Sequence, residues 1–413
     1  MSFDIALSGI QAINESLNTT SQNIANAGTY GYKSLRSNFS SLVAGEAQNG
    51  VTIGSVTQFI GKQGGVLSTG RALDASINGS GFFVAKNQNT GVTEYTRVGI
   101  FDASKDGYLV DAQGRRVQGF PISAGSSVMG ALGDITIPTG AIPAVSSAKM
   151  SYVGNMSADW TVPTAAFPTT VTPTTPPDTN TFNMSKATVV YDTLGGKHTL
   201  TQYFRRDPAD VNAVDVKYVL DGNLVAGADT KLKFNQTTGA LEQLNGAAGT
   251  TAALNLAALN PGNGAQFSAV TLDYAGTTGF AGEATTSTNT ADGYASGTFT
   301  GVALGTDGSL IASYTNGQKQ TVGRLAIATF GNENELTNVS GTSWLESVAS
   351  GSPLVNPPGV GVSGSINAQS IEQSNVDITS ELVGLMTSQR NYQANSKVIQ
   401  TESTMLQSLM QAI

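Results

Sequence analysis

LVGLMTSQRNYQANSKVIQTESTMLQSLMQAI, residues 382–413, decides how the rest of the chain is read. Leu382, Leu385, Gln389, Tyr392, Ser396, Ile399, Ser403, Leu406, Met410 and Ile413 fall alternately three and four residues apart. That spacing predicts an amphipathic helix whose stripe suits coiled-coil packing. The polar members Gln389, Ser396 and Ser403 weaken a two-helix core and suit a crowded, partly wet assembly. Asp377 falls in the expected first turn, where a negative charge favours the helix dipole.

The opposite end of the chain repeats the pattern. Phe3, Ala6, Ile10, Ile13, Leu17, Thr20 and Ile24 step by threes and fours, and nothing between the two ends has a comparable helical period. The intervening residues read as strands and tight turns: Thr, Val, Tyr and Phe alternate with small residues, and the chain holds 48 glycines. Asn316-Gly317, Asp221-Gly222 and Asp106-Gly107 each adjoin an apolar, strand-like run and predict hairpins. The fold class expected is therefore mainly β, with two β-rich domains, the outer one inserted in the inner one. N- and C-terminal helices pair as a coiled-coil-like inner layer.

Composition shifts set the expected borders. Residues 160–181 are dominated by Thr and Pro and should be extended and exposed. Residues 281–297 are small, polar and Thr-rich, and 351–364 form a Gly/Pro/Ser/Val connector. The divisions are a helical region at 1–30 and 371–413, connecting segments at 31–70 and 351–370, an inner β-domain at 71–149 and 292–350, and an outer β-domain at 150–291. Gly61, Gly64 and Gly65 read as a connector hinge.

Composition excludes several function classes. With 21 basic and 29 acidic residues the net charge is −8, and no basic run could track a phosphate backbone, which argues against nucleic acid. No window approaches 18 apolar residues, so no membrane insertion is expected. There is no cysteine and one histidine, His198, which leaves little for a thiolate centre or a Ser/His/Asp triad. Gly79-Ser80-Gly81 lacks the Lys-Ser/Thr of a phosphate loop and reads as a turn into Phe82-Phe83. Asp102, Ser104, Asp106 and Gly107 imitate the start of a calcium loop, but position twelve is Gln113, so a hairpin turn is expected. His198 reads as a strand residue with satisfied hydrogen bonds. No catalytic residue, metal site or cofactor is expected. An adhesin or enzyme would need an aromatic-lined face or an acid/base cluster, and aromatics are 7%. Neither terminal stripe can be buried by one copy, so the pattern predicts a homopolymer in which each sheltered Ile or Leu contributes about 1.5–3 kcal/mol.

Three blocks carry a resemblance. Ser8-Gly9-Ile10, then Asn23-Ile24-Ala25-Asn26 and Thr29-Tyr30-Gly31-Tyr32-Lys33-Ser34, resemble the N-terminal signature of the flagellar axial proteins. Ser374-Asn375-Val376-Asp377, Glu381-Leu382 and Gln389-Arg390-Asn391-Tyr392-Gln393-Ala394-Asn395 resemble their C-terminal signature. Thr69, Gly70, Arg71, Leu73, Asp74, Gly79, Gly81, Phe82 and Phe83 belong to a block similar to the start of the β-domain shared by hook and rod members. Length and the segment 189–195 with His198 favour the hook branch; a distal rod subunit, a rigid drive shaft, is the alternative.

The resemblance implies a non-enzymatic subunit of a flexible, curved, extracellular tube that carries torque from rod to filament. It implies Ile10, Ile13, Leu17, Asn23, Ile24, Asn26, Leu382, Leu385, Gln389, Arg390, Tyr392, Asn395, Ile399, Leu406 and Met410 as polymerisation residues. The partners implied are further copies of the chain, the distal rod protein, the hook cap, the first hook–filament junction protein, the hook-length ruler and the flagellar type III export apparatus. Export without a cleaved signal peptide is expected.

Overall fold

Strong turn chemistry fixes the local architecture. The computed structural model describes residues 2–44, 47–123, 125–126, 128–256, 264–339 and 342–412; Met1 and Ile413 lie outside them. At Asp221-Gly222 both residues are left-handed, with φ of 48° and 81°, and Leu220 faces Asn223 across a two-residue hairpin. Asn316-Gly317 joins the antiparallel strands Ser309–Tyr314 and Lys319–Leu325. At Asp106-Gly107 the Ser104 N–H donates to Tyr108 O, which closes a hairpin between Phe101–Ala103 and Leu109–Asp111. A hairpin turn thus occupies the calcium-like sequence.

The chain forms two compact units. One comprises 1–139, 300–313 and 319–413, and the other comprises 140–299 and 314–318. The first unit contains the two long helices, α1 (Ser2–Ala25) and α2 (Ile378–Ala412), which pack on each other. Mainly β with paired terminal helices is the observed class. The first unit's antiparallel sheet centres on Phe82–Lys86, which pairs with Thr93–Thr96 and Arg116–Pro121 and, at its start, with Ile327–Thr329. Phe82, Trp344, Tyr95 and Ala328 are buried beneath it. Gly81 admits no side chain: its φ is 114° and an added Cβ would meet Ile327 Cγ2 at 2.3 Å.

In the second unit an antiparallel meander runs through Met184–Tyr191, Lys197–Arg206, Ala213–Leu220, Thr230–Phe234 and Leu241–Leu244. It shares one core with a sheet around Lys149–Asn155, which pairs parallel to Val270–Asp273 and antiparallel to Thr285–Ala291. Alternation decides what is buried: Leu200, Gln202 and Phe204 point inward from one strand. Gln202 is satisfied there, since the Tyr274 hydroxyl donates to its Oε1 at 2.7 Å and lies 2.8 Å from the Tyr218 hydroxyl. The Thr/Pro segment is largely exposed, yet Phe167 and Val171 anchor it by packing on Val219.

Residues 31–70, read as a plain connector, hold a long two-stranded hairpin, β1 (Leu35–Ala44) and β2 (Ala47–Gln58). It lies along α1: Thr19 Oγ1 is 2.7 Å from Ser37 Oγ, and the Val51 N–H donates to Ser8 Oγ at 3.2 Å. The arrangement suits a ribbon that cannot stand alone, because an isolated two-stranded hairpin is marginal in water.

Candidate self-assembly site

Helix α2 begins where a side chain replaces missing backbone partners. Asp377 caps α2: its Oδ1 accepts the Thr379 N–H at 2.9 Å, and its Oδ2 accepts the Ser380 hydroxyl at 3.0 Å. Those bonds hold its carboxyl below the usual range. Asp377 is therefore the cap just before the helix.

Two contacts define the pairing of α1 with α2. Gly9 lies against Asn395, whose Nδ2 would be 2.9 Å from a Cβ on Gly9. Asn23 Nδ2 donates to Glu381 Oε1 at 2.9 Å. The two contacts are fourteen residues apart on each helix and run in opposite directions, so the pair is antiparallel. Gly9 is the small residue at the α1 side of the seam, and Ala6 and Ala12 are buried as well. The larger stripe residues Ile10, Ile13, Leu17 and Ile24 are only half-buried.

On α2, Leu385, Asn395, Ser396 and Ile399 are half-buried in the seam, while Leu382, Gln389, Arg390, Tyr392, Ser403, Leu406 and Met410 are exposed. The register carries α2 past the start of α1, so its last ten residues, 403–412, overhang it by about 15 Å. Met405 is 61% exposed, Leu406 56% and Met410 72%. A large apolar surface of this kind marks an interaction site.

Both helices are rooted in a buried polar cluster. Lys33 Nζ is 2.7 Å from Glu372 Oε1 and donates to Lys62 O at 2.8 Å; neither charged side chain is exposed. Arg97 Nη1, 3.6 Å from Glu372 Oε2, donates to Gly79 O at 2.9 Å. Burial pulls the Lys33 ammonium below its usual range against the opposing pull of Glu372, and burial lowers Arg97 as well. Asn375 donates to Phe59 O and Lys62 O, both at 2.9 Å, and accepts the Ser34 N–H at 2.7 Å. Asn23 accepts the Leu35 N–H at 2.8 Å and donates to Leu35 O at 2.9 Å. Asn26 serves the end of α1, donating to Gln22 O and accepting from the Thr29 hydroxyl. Asn23 and Asn375 thus fasten α1 and α2 to the body.

The glycines of the connector divide. A Cβ on Gly64 would come 1.9 Å from Gln373 O, and the Gly64 N–H donates to Glu372 Oε1 at 3.0 Å. Gly65 is paired too, accepting the Gln373 N–H at 2.7 Å. Gly61 meets nothing. Close approach explains glycine at 64, whereas a side chain at 61 would meet no neighbour. In the β-domain motif, Thr69 donates to Asp74 Oδ2 at 2.7 Å, beside exposed Gly70 and Arg71, while half-buried Leu73 leads into that turn. Gly79 and Gly81 take positive φ to feed Phe82 and Phe83, and Phe83 packs edge-on against Phe101 at 5.1 Å.

Comparisons with known proteins agree along the whole chain. Family models match at residues 76–158 (flagellar hook protein FlgE/F/G D1 domain), 155–294 (flagellar basal body protein FlaE D2 domain) and 367–412 (flagellar basal body rod FlgEFG protein C-terminal). The flagellar hook protein FlgE of Brucella suis is 35% identical over 411 residues, covering 98% of this chain and 96% of that protein. The chain belongs to the flagellar hook protein family. The Salmonella typhimurium hook protein is 32% identical and covers 99% of both chains. The Helicobacter pylori hook protein FlgE2 shares the fold with a TM-score of 0.52 at 15% identity, covering 73% of this chain and 99% of that one. These matches favour the hook branch over the rod branch, and the hook family is a structural one.

Lys33 and Asn375, which lie within the signatures, have local signals in the sequence. Arg97 and Glu372 have none, because their partnership joins positions far apart in the chain.

Proposed function

We propose that the chain polymerises by burying α1 and α2 against the helices of neighbouring copies, building a flexible curved tube that links rod to filament as a universal joint. One observation carries this reading: α2 exposes an apolar surface along its length and extends ten residues beyond its own partner helix. Neighbouring copies supply the cover. The second unit, which contains the expected outer β-domain of residues 150–291, serves as the outer domain of the tube and shifts on weak polar contacts as the tube bends. Membership of the hook family supports contacts with the distal rod protein, hook cap, first junction protein and length ruler. It also supports passage through the flagellar type III apparatus with the N-terminus retained. The role is mechanical, with no catalytic step.

Leu406→Glu tests the reading. A charge left unpaired in a helical layer costs several kcal/mol, so the variant should remain folded, with unchanged melting of both β-rich units, yet form no tubes under electron microscopy. Tubes of normal length and curvature from this variant would overturn the proposal.

A further inference from the structure

His198 is the chain's one histidine, and its ring lies between two turns of the second unit. Nδ1 is 2.6 Å from Asp221 Oδ2, and Nε2 is 3.1 Å from Asp192 Oδ2. Among the described residues these two carboxylates are the charged groups that bear on the ring; the Phe267 ring packs edge-on at 4.7 Å. Lys197, next along the strand, faces the other way. The two carboxylates are held differently. Asp192 is fully buried, and its Oδ1 accepts the N–H groups of Leu194 at 2.9 Å and Gly196 at 2.7 Å. Asp221 is exposed, left-handed at φ 48°, and accepts the Thr199 N–H at 2.7 Å. Its turn supports the Thr/Pro segment: a Cβ on Gly222 would come 2.8 Å from Pro173 Cα, and the Leu224 N–H donates to Val171 O at 3.3 Å.

We propose that His198 is a proton-operated clasp: charged, it donates to both carboxylates and holds the Asp221-Gly222 turn and the Thr/Pro segment closed; neutral, it keeps Asp192 and releases Asp221. A neutral imidazole has one N–H. The buried Oδ2 of Asp192 would be left without its histidine donor, whereas exposed Asp221 can turn to water, so the remaining proton stays on Nε2. The Nδ1 proton goes to solvent, and the lone pair left there faces the Asp221 carboxylate. Burial pulls the imidazolium down, but the two carboxylates outweigh it and raise it above its ordinary value. The clasp's contribution is therefore complete below the unfolded imidazole value of about 6.5 and is lost as pH rises through the raised one. This inference does not depend on how the chain polymerises.

A single histidine makes the test direct. In the full-length chain with labelled histidine, the ring resonance should titrate with a midpoint above that of the urea-unfolded chain. Amide exchange at Thr199 and Leu224, corrected for intrinsic pH dependence, should accelerate about tenfold per unit of that difference. Asp221→Asn should lower the midpoint and abolish the pH-dependent acceleration, while Asn183 and Leu232 amides stay protected in both proteins. A midpoint at or below the unfolded one, or equal acceleration in Asp221→Asn, would overturn the clasp.

Discussion

Glu372 shows what one residue does here. Its carboxylate meets Lys33, Arg97 and the Gly64 N–H, so the exit of α1, the connector and the β-sheet converge on a single side chain. Charges are costly to bury, and removing one partner of such a pair typically costs about 3–5 kcal/mol because the other is stranded. Glu372→Gln should therefore lower the first unit's melting temperature sharply and leave the second unit's transition in place, as read by calorimetry. Loss of both transitions together would contradict the local role. None of this was legible from spacing, since the pairing is created by the fold. Asn375 was visible only as a motif letter; its three hydrogen bonds explain why an amide, with both donor and acceptor, stands there.

Among the elements, α1 was the most fully legible. Its period located the helix and put Ala6 in the stripe, but it passed over Gly9, which is buried against Asn395 of α2 while Ile10, Ile13 and Leu17 are only half-buried. Small residues let the backbones approach, which pushes the larger ones to the flanks of the contact. Gly9→Val should accordingly separate the pair at a cost of about 1–3 kcal/mol, measured as lost helicity in the far ultraviolet with the β signal intact. No change in helicity would mean that the pair is not packed closely at that position. The β1–β2 hairpin escaped sequence reading for a related reason. Residues 35–58 are rich in Ser, Thr, Asn and Gly, without a sustained apolar alternation, and their strand pairing is supported by α1 beneath. Turns were read more securely than strands, because Asp-Gly and Asn-Gly carry a backbone preference that needs no tertiary context.

For the molecule as a whole, fold class and family were written in the two ends, while the surface that remains uncovered became visible only with the register of α1 on α2. Residues 403–412 contain no Asp, Glu, Lys or Arg. Ionic screening has nothing to act on in that stretch, and strongly hydrated anions such as sulfate tighten apolar association. Raising sodium chloride from about 0.1 M to about 1 M should leave the critical concentration for tube growth nearly unchanged, with sulfate lowering it and mild detergent raising it, as followed by light scattering. A steep chloride dependence would place the decisive contacts on charged faces instead. A joint fastened through such an end would keep its grip from fresh water to brine, and a cell carrying it could cross between them without rebuilding the part.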